Sequence, residues 1–314
     1  MDRPGAHDAF RRAPLYFLTM DQKVLLHGCG TALVTPFDKD GEIDYEAFAA
    51  LVDRQVAGGV DFLVPLGTTG ETPALKDKEK VELLRLTKEH CGGLPVMPGI
   101  GSNSLEGTLR NLRLLAPLKP DALLVVVPFY NKPTQEGMFR YFQAVAAETK
   151  IPIIIYNVPG RTGANMLPDT VIRLATEVPL IAGIKEASGN YAQASEIIRR
   201  APEGFAVLSG EDELTFALMA TGAHGVVSVA SNVVPGAVAA LCEAVQEGDL
   251  SAARRLHHYL SPLYKACFVE SNPIPVKAAL SLLGLCEDTV RLPLAPATIG
   301  TRLLLDEVLK GLDQ

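Results

Sequence analysis

Short apolar segments rich in β-branched residues alternate along this chain with longer segments of helical periodicity. The apolar segments are almost continuously hydrophobic, as expected for strands that are buried on both faces. Between the first two, Asp44 can cap a helix in which Phe48 and Val52 fall on one face. The apolar segments span residues 30–37, 60–67, 94–101, 122–128, 151–157, 180–187, 205–210 and 223–230.

Strands that alternate with helices in this way predict a closed (β/α)8 barrel, the TIM-barrel fold of the α/β class. An open, doubly wound sheet is the alternative, but the even spacing of the units favours closure. After the last strand only helices are predicted, over 235–247, 249–267, 273–284 and 297–312. We therefore predict a barrel over 21–247 and a C-terminal helical extension over 248–314.

Residues 1–20 do not fit this pattern. Arg11 and Arg12 precede a short apolar patch that contains Pro14, and Asp21 follows the patch directly. A secretory signal needs a longer apolar segment and a small-residue cleavage site. We expect residues 1–20 to be either a disordered tail or a wrongly assigned start, with Met20 as the natural first residue.

Composition narrows the class of protein. Of the 314 residues, 48% are hydrophobic and 21% are charged, as in ordinary globular proteins. The formal net charge of −7 argues against nucleic acid or an anionic membrane as the main partner. No apolar stretch approaches the roughly 20 residues that cross a bilayer. The 5 scattered cysteines form no C-x-x-C pair, which predicts reduced thiols and a cytoplasmic location.

The candidate chemistry lies where the predicted strands end, because active sites of (β/α)8 enzymes lie at the carboxyl ends of the strands. The sixth strand contains Lys185 among apolar residues. Burial favours the neutral form of an amine, which can then attack a carbonyl compound and form an iminium ion. A lysine that reaches solvent or pairs with Glu186 is the alternative. Tyr156 at the end of the neighbouring strand favours the role of Lys185 as a nucleophile.

Two further strand ends have unusual sequences. The second strand leads into GTTGE at 67–71, which is either a cradle for a carboxylate or an ordinary turn. The fifth strand ends at Tyr156, and Arg161 follows five residues later. The tyrosine could transfer protons beside a carboxylate that the arginine binds. Alternatively, the tyrosine only packs against its neighbours. Residues 99–104 approach a dinucleotide-binding motif, but its third glycine is replaced by Ser104, so we reject a dinucleotide site.

These motifs together resemble the dihydrodipicolinate synthase family, within the class I aldolases that include N-acetylneuraminate lyase. The similarity extends from about residue 28 to the C-terminus. Each motif alone is moderately specific, and the ordered set is highly specific. The matching motifs are GTALVTPF (30–37), GTTGE (67–71), PFYNKPTQEG (128–137), YNVPGRTG (156–163), GIKEASGN (183–190), HGVVSVASNV (224–233) and NPIPVK (272–277).

The resemblance implies a Schiff-base condensation of pyruvate with L-aspartate 4-semialdehyde, the first committed step of lysine and diaminopimelate biosynthesis. Lys185 would form the imine with pyruvate. Tyr156, Thr68 and Tyr130 would relay protons, with Tyr130 reaching the site of the neighbouring subunit. The family usually forms a homotetramer of tight dimers. The resemblance implies no metal and no cofactor, because the iminium ion itself accepts the electrons.

The resemblance also implies substrate-binding residues. Thr69 would hold the pyruvate carboxylate and Arg161 the carboxylate of the second substrate, and Gly210 and Val227 would complete the binding set. Glu211 stands where the family usually has aspartate, a conservative change.

Two alternatives remain for the function. Another pyruvate-dependent aldolase, acting on a 2-keto-3-deoxy sugar acid or resembling the neuraminate lyase, would use the same imine, but those relatives usually lack the arginine at position 161. A catalytically inactive barrel that only binds a partner is disfavoured by the complete set of implied catalytic residues. A structural pair between Arg161 and Glu71 is the alternative role for that arginine.

The chain departs from the family at positions that bind an inhibitory L-lysine. Phe129 replaces a tyrosine, Asp77 and Lys80 stand at positions that are commonly histidine, and Gly107 replaces a glutamate, whereas Asn103 matches. A ligand with two cationic amines needs acidic and hydrogen-bonding partners, which Gly107 and Phe129 do not supply. We predict weak or absent feedback by lysine.

Overall fold

The computed structural model describes residues 26–312, and its strands form one curled, parallel sheet. The strands are β1 (Gly28–Ala32), β2 (Phe62–Val64), β3 (Leu123–Val126), β4 (Ile153–Asn157), β5 (Ile181–Glu186), β6 (Ala206–Ser209) and β7 (Gly225–Ser228). Their order across the sheet is β2-β1-β7-β6-β5-β4-β3. Each overlaps a predicted apolar segment and is shorter than that segment, because the ends of the segments continue as buried loops.

The remaining predicted strand, 94–101, closes the barrel without forming a regular strand. It bridges to β2 through Leu63 and Val96 and to β3 through Gly99 and Leu124. The Met97 amide donates to the Leu63 carbonyl at 2.8 Å on one side. Prolines at 95 and 98 have no amide hydrogen to donate, so the ladder is interrupted there. The segment nevertheless links the two ends of the sheet, and the predicted (β/α)8 barrel is confirmed.

Helices follow the strands and pack around them. The Asp44 side chain caps the first one, accepting from the Ala47 amide at 2.9 Å as the sequence predicts. The helices of the barrel are α1 (Tyr45–Ala57), α2 (Asp77–His90), α3 (Leu105–Leu115), α4 (Gln135–Ala147), α5 (Pro159–Thr162), α6 (Pro168–Glu177), α7 (Tyr191–Arg200), α8 (Thr215–Ala220) and α9 (Pro235–Gln246).

Three helices form the C-terminal extension, close to the predicted bounds: α10 (Leu250–Ala266), α11 (Ile274–Leu282) and α12 (Ile299–Leu312). Leu263, Leu280 and Leu305 from these helices belong to the same apolar cluster as the side chains between the barrel strands and their helices. A second cluster, with Phe62, Leu124 and others, lies apart from the first. The extension therefore packs onto the barrel and shares its core.

Several predictions concern other parts or properties of the chain. Residues 1–20, with Met20, lie outside the described residues. Within 26–312, no helix combines the length and the apolar character that crossing a membrane requires. All of the cysteines, from Cys29 to Cys286, are free thiols.

Candidate active site

Lys185 lies near the carboxyl end of β5, next to Tyr156 of β4 in the register of the two strands. The lysine is 6% exposed and the tyrosine 7% exposed. The Lys185 Nζ atom lies 4.4 Å from the centre of the Tyr156 ring. The alternative in which Lys185 reaches solvent does not occur. Glu186 points elsewhere, because its carboxylate accepts hydrogen bonds from the Asn157 side chain and the Ser188 amide.

Gly210 leaves room for the lysine. A Cβ atom at this position would lie 3.0 Å from Lys185 Cε and 2.5 Å from Ala187 Cβ. The Gly210 amide donates to the Glu186 carbonyl at 2.8 Å, which aligns the end of β6 with the end of β5. The absence of a side chain at 210 is therefore a condition for the observed position of the amine.

Glu211 brings a carboxyl group to the same place. Burial raises the pKa of this carboxyl, and the positive charges of Lys185 and Arg161 oppose the shift. The group therefore holds its proton to a higher pH than an exposed glutamate does. Its proximity to the lysine was not evident from the sequence, which showed only a conservative replacement of aspartate.

The turn that follows β2 supplies two threonine hydroxyls. Thr68–Gly70 form one turn of 3-10 helix, and Thr69 is buried. The Thr69 hydroxyl accepts from the Asn272 side-chain amide at 3.0 Å. The Thr68 and Tyr156 hydroxyls make no hydrogen bond to the protein within 26–312, so both are available to a bound molecule.

Arg161 lies on the short helix α5 and is exposed. Its Nη2 atom donates to the Asn272 carbonyl at 3.4 Å. The predicted alternative, a pair with Glu71, does not occur, because the Glu71 carboxylate pairs with Lys277 at 2.8 Å. Among residues 26–312 the guanidinium makes no other hydrogen bond, so its remaining N–H groups can meet an anion at the mouth of the barrel.

A cavity of about 50 Å³ connects these groups. Its volume suits a molecule of only a few non-hydrogen atoms. Among its lining residues are six of the predicted site residues: Lys185, Tyr156, Thr68, Thr69, Arg161 and Gly210.

Two predicted site residues lie outside this cavity. Val227 is buried in the apolar cluster that contains Phe62 and pairs with Gly30 of β1, so it does not line the cavity. Its substrate-binding role is not supported by this placement. Tyr130 is 84% exposed, with a φ of 75°, and does not reach the cavity of its own chain.

Asn272 is a site residue that stands out in the sequence only as the first residue of the NPIPVK motif. It contacts both Thr69 and Arg161, and its Oδ1 atom is buried without a hydrogen-bond partner in the part of the chain that the structure describes. An unpartnered buried acceptor in the cavity wall can receive a donor from a ligand.

Residues 26–312 contain no group of three or more His, Cys, Asp or Glu side chains that could hold a metal ion.

A wider cavity of about 400 Å³ adjoins the first and shares Thr68, Tyr156 and Arg161 with it. Lys80 and Phe129, two of the positions that depart from the family, line it. A Cβ atom at Gly107 would lie 2.5 Å from the Ser102 hydroxyl, so a larger residue at this position would require Ser102 to move.

Comparisons with known proteins identify the family of this chain. A family model described as the dihydrodipicolinate synthetase family matches residues 25–312. The 4-hydroxy-tetrahydrodipicolinate synthase of Thermotoga neapolitana is 47% identical over 290 residues, which cover 91% of this chain and 98% of the relative.

Solved structures show the same similarity. A crystal structure of dihydrodipicolinate synthase from Thermotoga maritima matches with a TM-score of 0.90 and 44% identity, over 92% of this chain and 99% of the other. The structure of a monomeric dihydrodipicolinate synthase variant also matches with a TM-score of 0.90 and 44% identity, over 92% and 97% of the two chains. The similarity therefore includes both the barrel and the extension.

Proposed function

Because the chain belongs to the dihydrodipicolinate synthetase family, we propose that it is a lyase that condenses pyruvate with L-aspartate 4-semialdehyde to 4-hydroxy-tetrahydrodipicolinate. The observation on which the proposal rests is the buried amine of Lys185, which lines one small cavity together with Tyr156, Thr68 and Thr69. The product would serve lysine and diaminopimelate biosynthesis, and we expect the protein in the cytoplasm.

The first step joins pyruvate to the lysine. The Lys185 Nζ atom adds to the keto carbon, and water leaves as the imine forms. Thr69 holds the pyruvate carboxylate with its side chain and its own backbone amide. The protonated imine withdraws electrons from the pyruvate methyl group, which then loses a proton to give an enamine. No cofactor is needed for this step, because the imine is the electron acceptor.

Protons must move to and from the reacting carbon and oxygen atoms. Tyr156 and Thr68 line the cavity with hydroxyls that have no protein partner among residues 26–312, so they can exchange protons with the substrate. We assign the third position of the relay to Tyr130 of a neighbouring subunit. Its high exposure in the single chain is the arrangement that such an exchange requires.

The second substrate binds at the rim of the cavity. Arg161 offers a planar guanidinium for its carboxylate. The enamine carbon attacks the aldehyde, and the new C–C bond forms as the aldehyde oxygen takes a proton. The amino group of this substrate then attacks the imine carbon and displaces the Lys185 nitrogen, which closes the ring and frees the enzyme.

Borohydride trapping tests the proposal. Borohydride reduces the imine to a stable secondary amine, so treatment with pyruvate should leave a pyruvate adduct on Lys185 in a peptide map. Lys277, which is also buried, is an internal control and should remain unmodified. A map without an adduct on Lys185 would refute every pyruvate-dependent aldolase activity for this protein.

Turnover then separates this reaction from that of a 2-keto-3-deoxy sugar acid aldolase. Arg161 at the cavity rim favours a second substrate with a carboxylate at that point. The protein should consume L-aspartate 4-semialdehyde in a coupled assay and should leave sugar acids unchanged. If pyruvate forms the adduct on Lys185 but the protein cleaves a sugar acid and does not consume L-aspartate 4-semialdehyde, the result would support the sugar acid aldolase.

We also propose a homo-oligomer, with tight dimers that exchange Tyr130 and a tetramer as the complete form. The match to a monomeric variant means that family membership alone does not fix the assembly. Tyr130→Phe and Lys185→Ala should each be nearly inactive, and mixed dimers should regain activity because one site then has both groups. If the mixture stays inactive although mixed dimers form, the exchange of Tyr130 is refuted.

A further inference from the structure

The last residues of two motifs meet inside the protein. Glu71 ends the GTTGE turn after β2, and Lys277 ends NPIPVK on α11 of the extension. The Lys277 Nζ atom lies 2.8 Å from a Glu71 carboxylate oxygen. The two side chains are 0% and 2% exposed. The reaction described above uses neither group.

Further contacts join this pair to the loop after β1. Lys277 also donates to the Thr35 carbonyl at 2.9 Å, and the Thr35 hydroxyl donates to the Gly70 carbonyl at 2.8 Å. The other carboxylate oxygen of Glu71 accepts from the Arg291 amide at 2.9 Å. The lysine therefore lies between the loop after β1 and the turn of residues 67–71 (the threonine turn). All polar side-chain atoms of Lys277 and Glu71 have hydrogen-bond partners.

The backbone of Glu71 explains why such an anchor is needed. Glu71 has a φ of 53°, and Leu66 at the other side of the turn has a φ of 60°. Side chains other than glycine rarely adopt this left-handed conformation, and it persists only where the surroundings hold it. From the extension side, the side chains of Lys277 and Asn272 and the backbone amide of Arg291 contact this turn and hold it.

We propose that Lys277 and Glu71 are positioning residues for pyruvate: their buried ion pair lets the extension hold Thr68 and Thr69 in place beside Lys185. Neither group touches the substrate. The proposal rests on the proposed function, because it assigns the threonine turn to the pyruvate carboxylate. It also gives the extension a direct part in the active site.

Lys277→Met tests the pair, since methionine fills similar space without the charge. We expect kcat/KM for pyruvate to fall at least tenfold, equivalent to about 1.4 kcal/mol. The KM for L-aspartate 4-semialdehyde should change much less, because Arg161 stays on its own helix. A loss of stability alone would not produce this difference between the two substrates.

Lys310→Met is the matched control. Lys310 also lies in the extension and pairs with Asp306, but the lysine is 72% exposed. This variant should keep wild-type constants for both substrates. The proposal is overturned if folded Lys277→Met keeps kcat/KM for pyruvate within twofold of the control, or if the constants for both substrates fall together.

Glu71→Asp provides the test if Lys277→Met does not fold. It keeps both charges but shortens the acidic side chain by one methylene group, so the turn must shift to preserve the pair. The same selective loss toward pyruvate is expected, and an unchanged kcat/KM would overturn the proposal. Failure of the wild-type protein to trap pyruvate would instead refute the proposed function, so the two failures are distinguishable.

Discussion

Gly210→Ala offers the most direct test of how the protein places its nucleophile. The backbone at 210 does not have a positive φ, so alanine suits the main chain and the effect of the substitution is steric. The new methyl group would lie 2.5 Å from Ala187 Cβ and 3.0 Å from Lys185 Cε. Ordinary contacts lie at 3.4–4 Å, so one of these neighbours has to move.

The size of the effect follows from that displacement. Relieving the contact requires a shift of about 1 Å, and overpacking of this kind costs about 1–3 kcal/mol of stability. A misplacement of about 1 Å near a reacting group can slow a reaction by about 100-fold, or about 2.7 kcal/mol. We therefore expect imine formation with pyruvate to slow by roughly 10- to 100-fold in Gly210→Ala.

Pre-steady-state borohydride trapping measures this rate, and Gly160→Ala is the matched control. Gly160 lies on α5 next to Arg161, also lacks a positive φ, and has open space where a Cβ atom would be. Adding Ala187→Gly to Gly210→Ala removes the 2.5 Å contact and leaves the one to Lys185. This double variant should recover stability more completely than it recovers the rate.

Equal trapping rates for Gly210→Ala and Gly160→Ala would refute the reasoning. They would show that the amine reaches pyruvate from a different position than the one between Gly210 and Tyr156. A slow rate that returns fully with Ala187→Gly would likewise place the steric conflict at Ala187 and not at the nucleophile.

Three further predictions concern binding, pH and regulation. Arg161→Ala should lower kcat/KM for L-aspartate 4-semialdehyde by about 10- to 100-fold, with unchanged trapping of pyruvate, because a charge-assisted hydrogen bond is lost. Burial raises the pKa of Glu211, so the wild-type protein should lose stability relative to Glu211→Gln as pH rises from about 4.3 through the raised folded value. Urea unfolding across that range measures the difference, and a difference independent of pH would contradict it. Sub-millimolar L-lysine should leave the steady-state rate unchanged, since Gly107 and Phe129 offer it no acidic partner; inhibition would show that other groups bind it.

The C-terminal extension contributes residues to the proposed active site of the barrel. Asn272 lies just before α11 and Lys277 in its first turn, and they contact the threonine turn at Thr69 and Glu71, respectively. The barrel therefore supplies the nucleophile, whereas the helical extension holds the residues proposed to orient the substrate. Removing the extension would expose an apolar surface of the barrel. It would also remove the contacts of Asn272 and Lys277 that hold the threonine turn.

The strands, the lysine within an apolar strand and the unusual strand ends were all evident from the sequence. They are local signals, because a strand buried on both faces is a continuous apolar run and a charged residue within it stands out. The prolines at 95 and 98 interrupt one such run, and only the pairing on both sides shows that this segment still closes the barrel.

The contacts between distant segments could not be predicted in this way. Asn272 and Thr69 are 203 residues apart, and Lys277 and Glu71 are 206 residues apart, so no periodicity relates them. Their meeting depends on where the extension packs on the barrel. The same packing gives Glu71 a partner in Lys277, whereas the place of Val227 in β7 leaves it in the apolar cluster with Phe62. The sequence by itself determined the barrel and its chemical groups, and the tertiary structure decided which of these groups lie together, because burial patterns specify the faces of single elements but not their long-range neighbours.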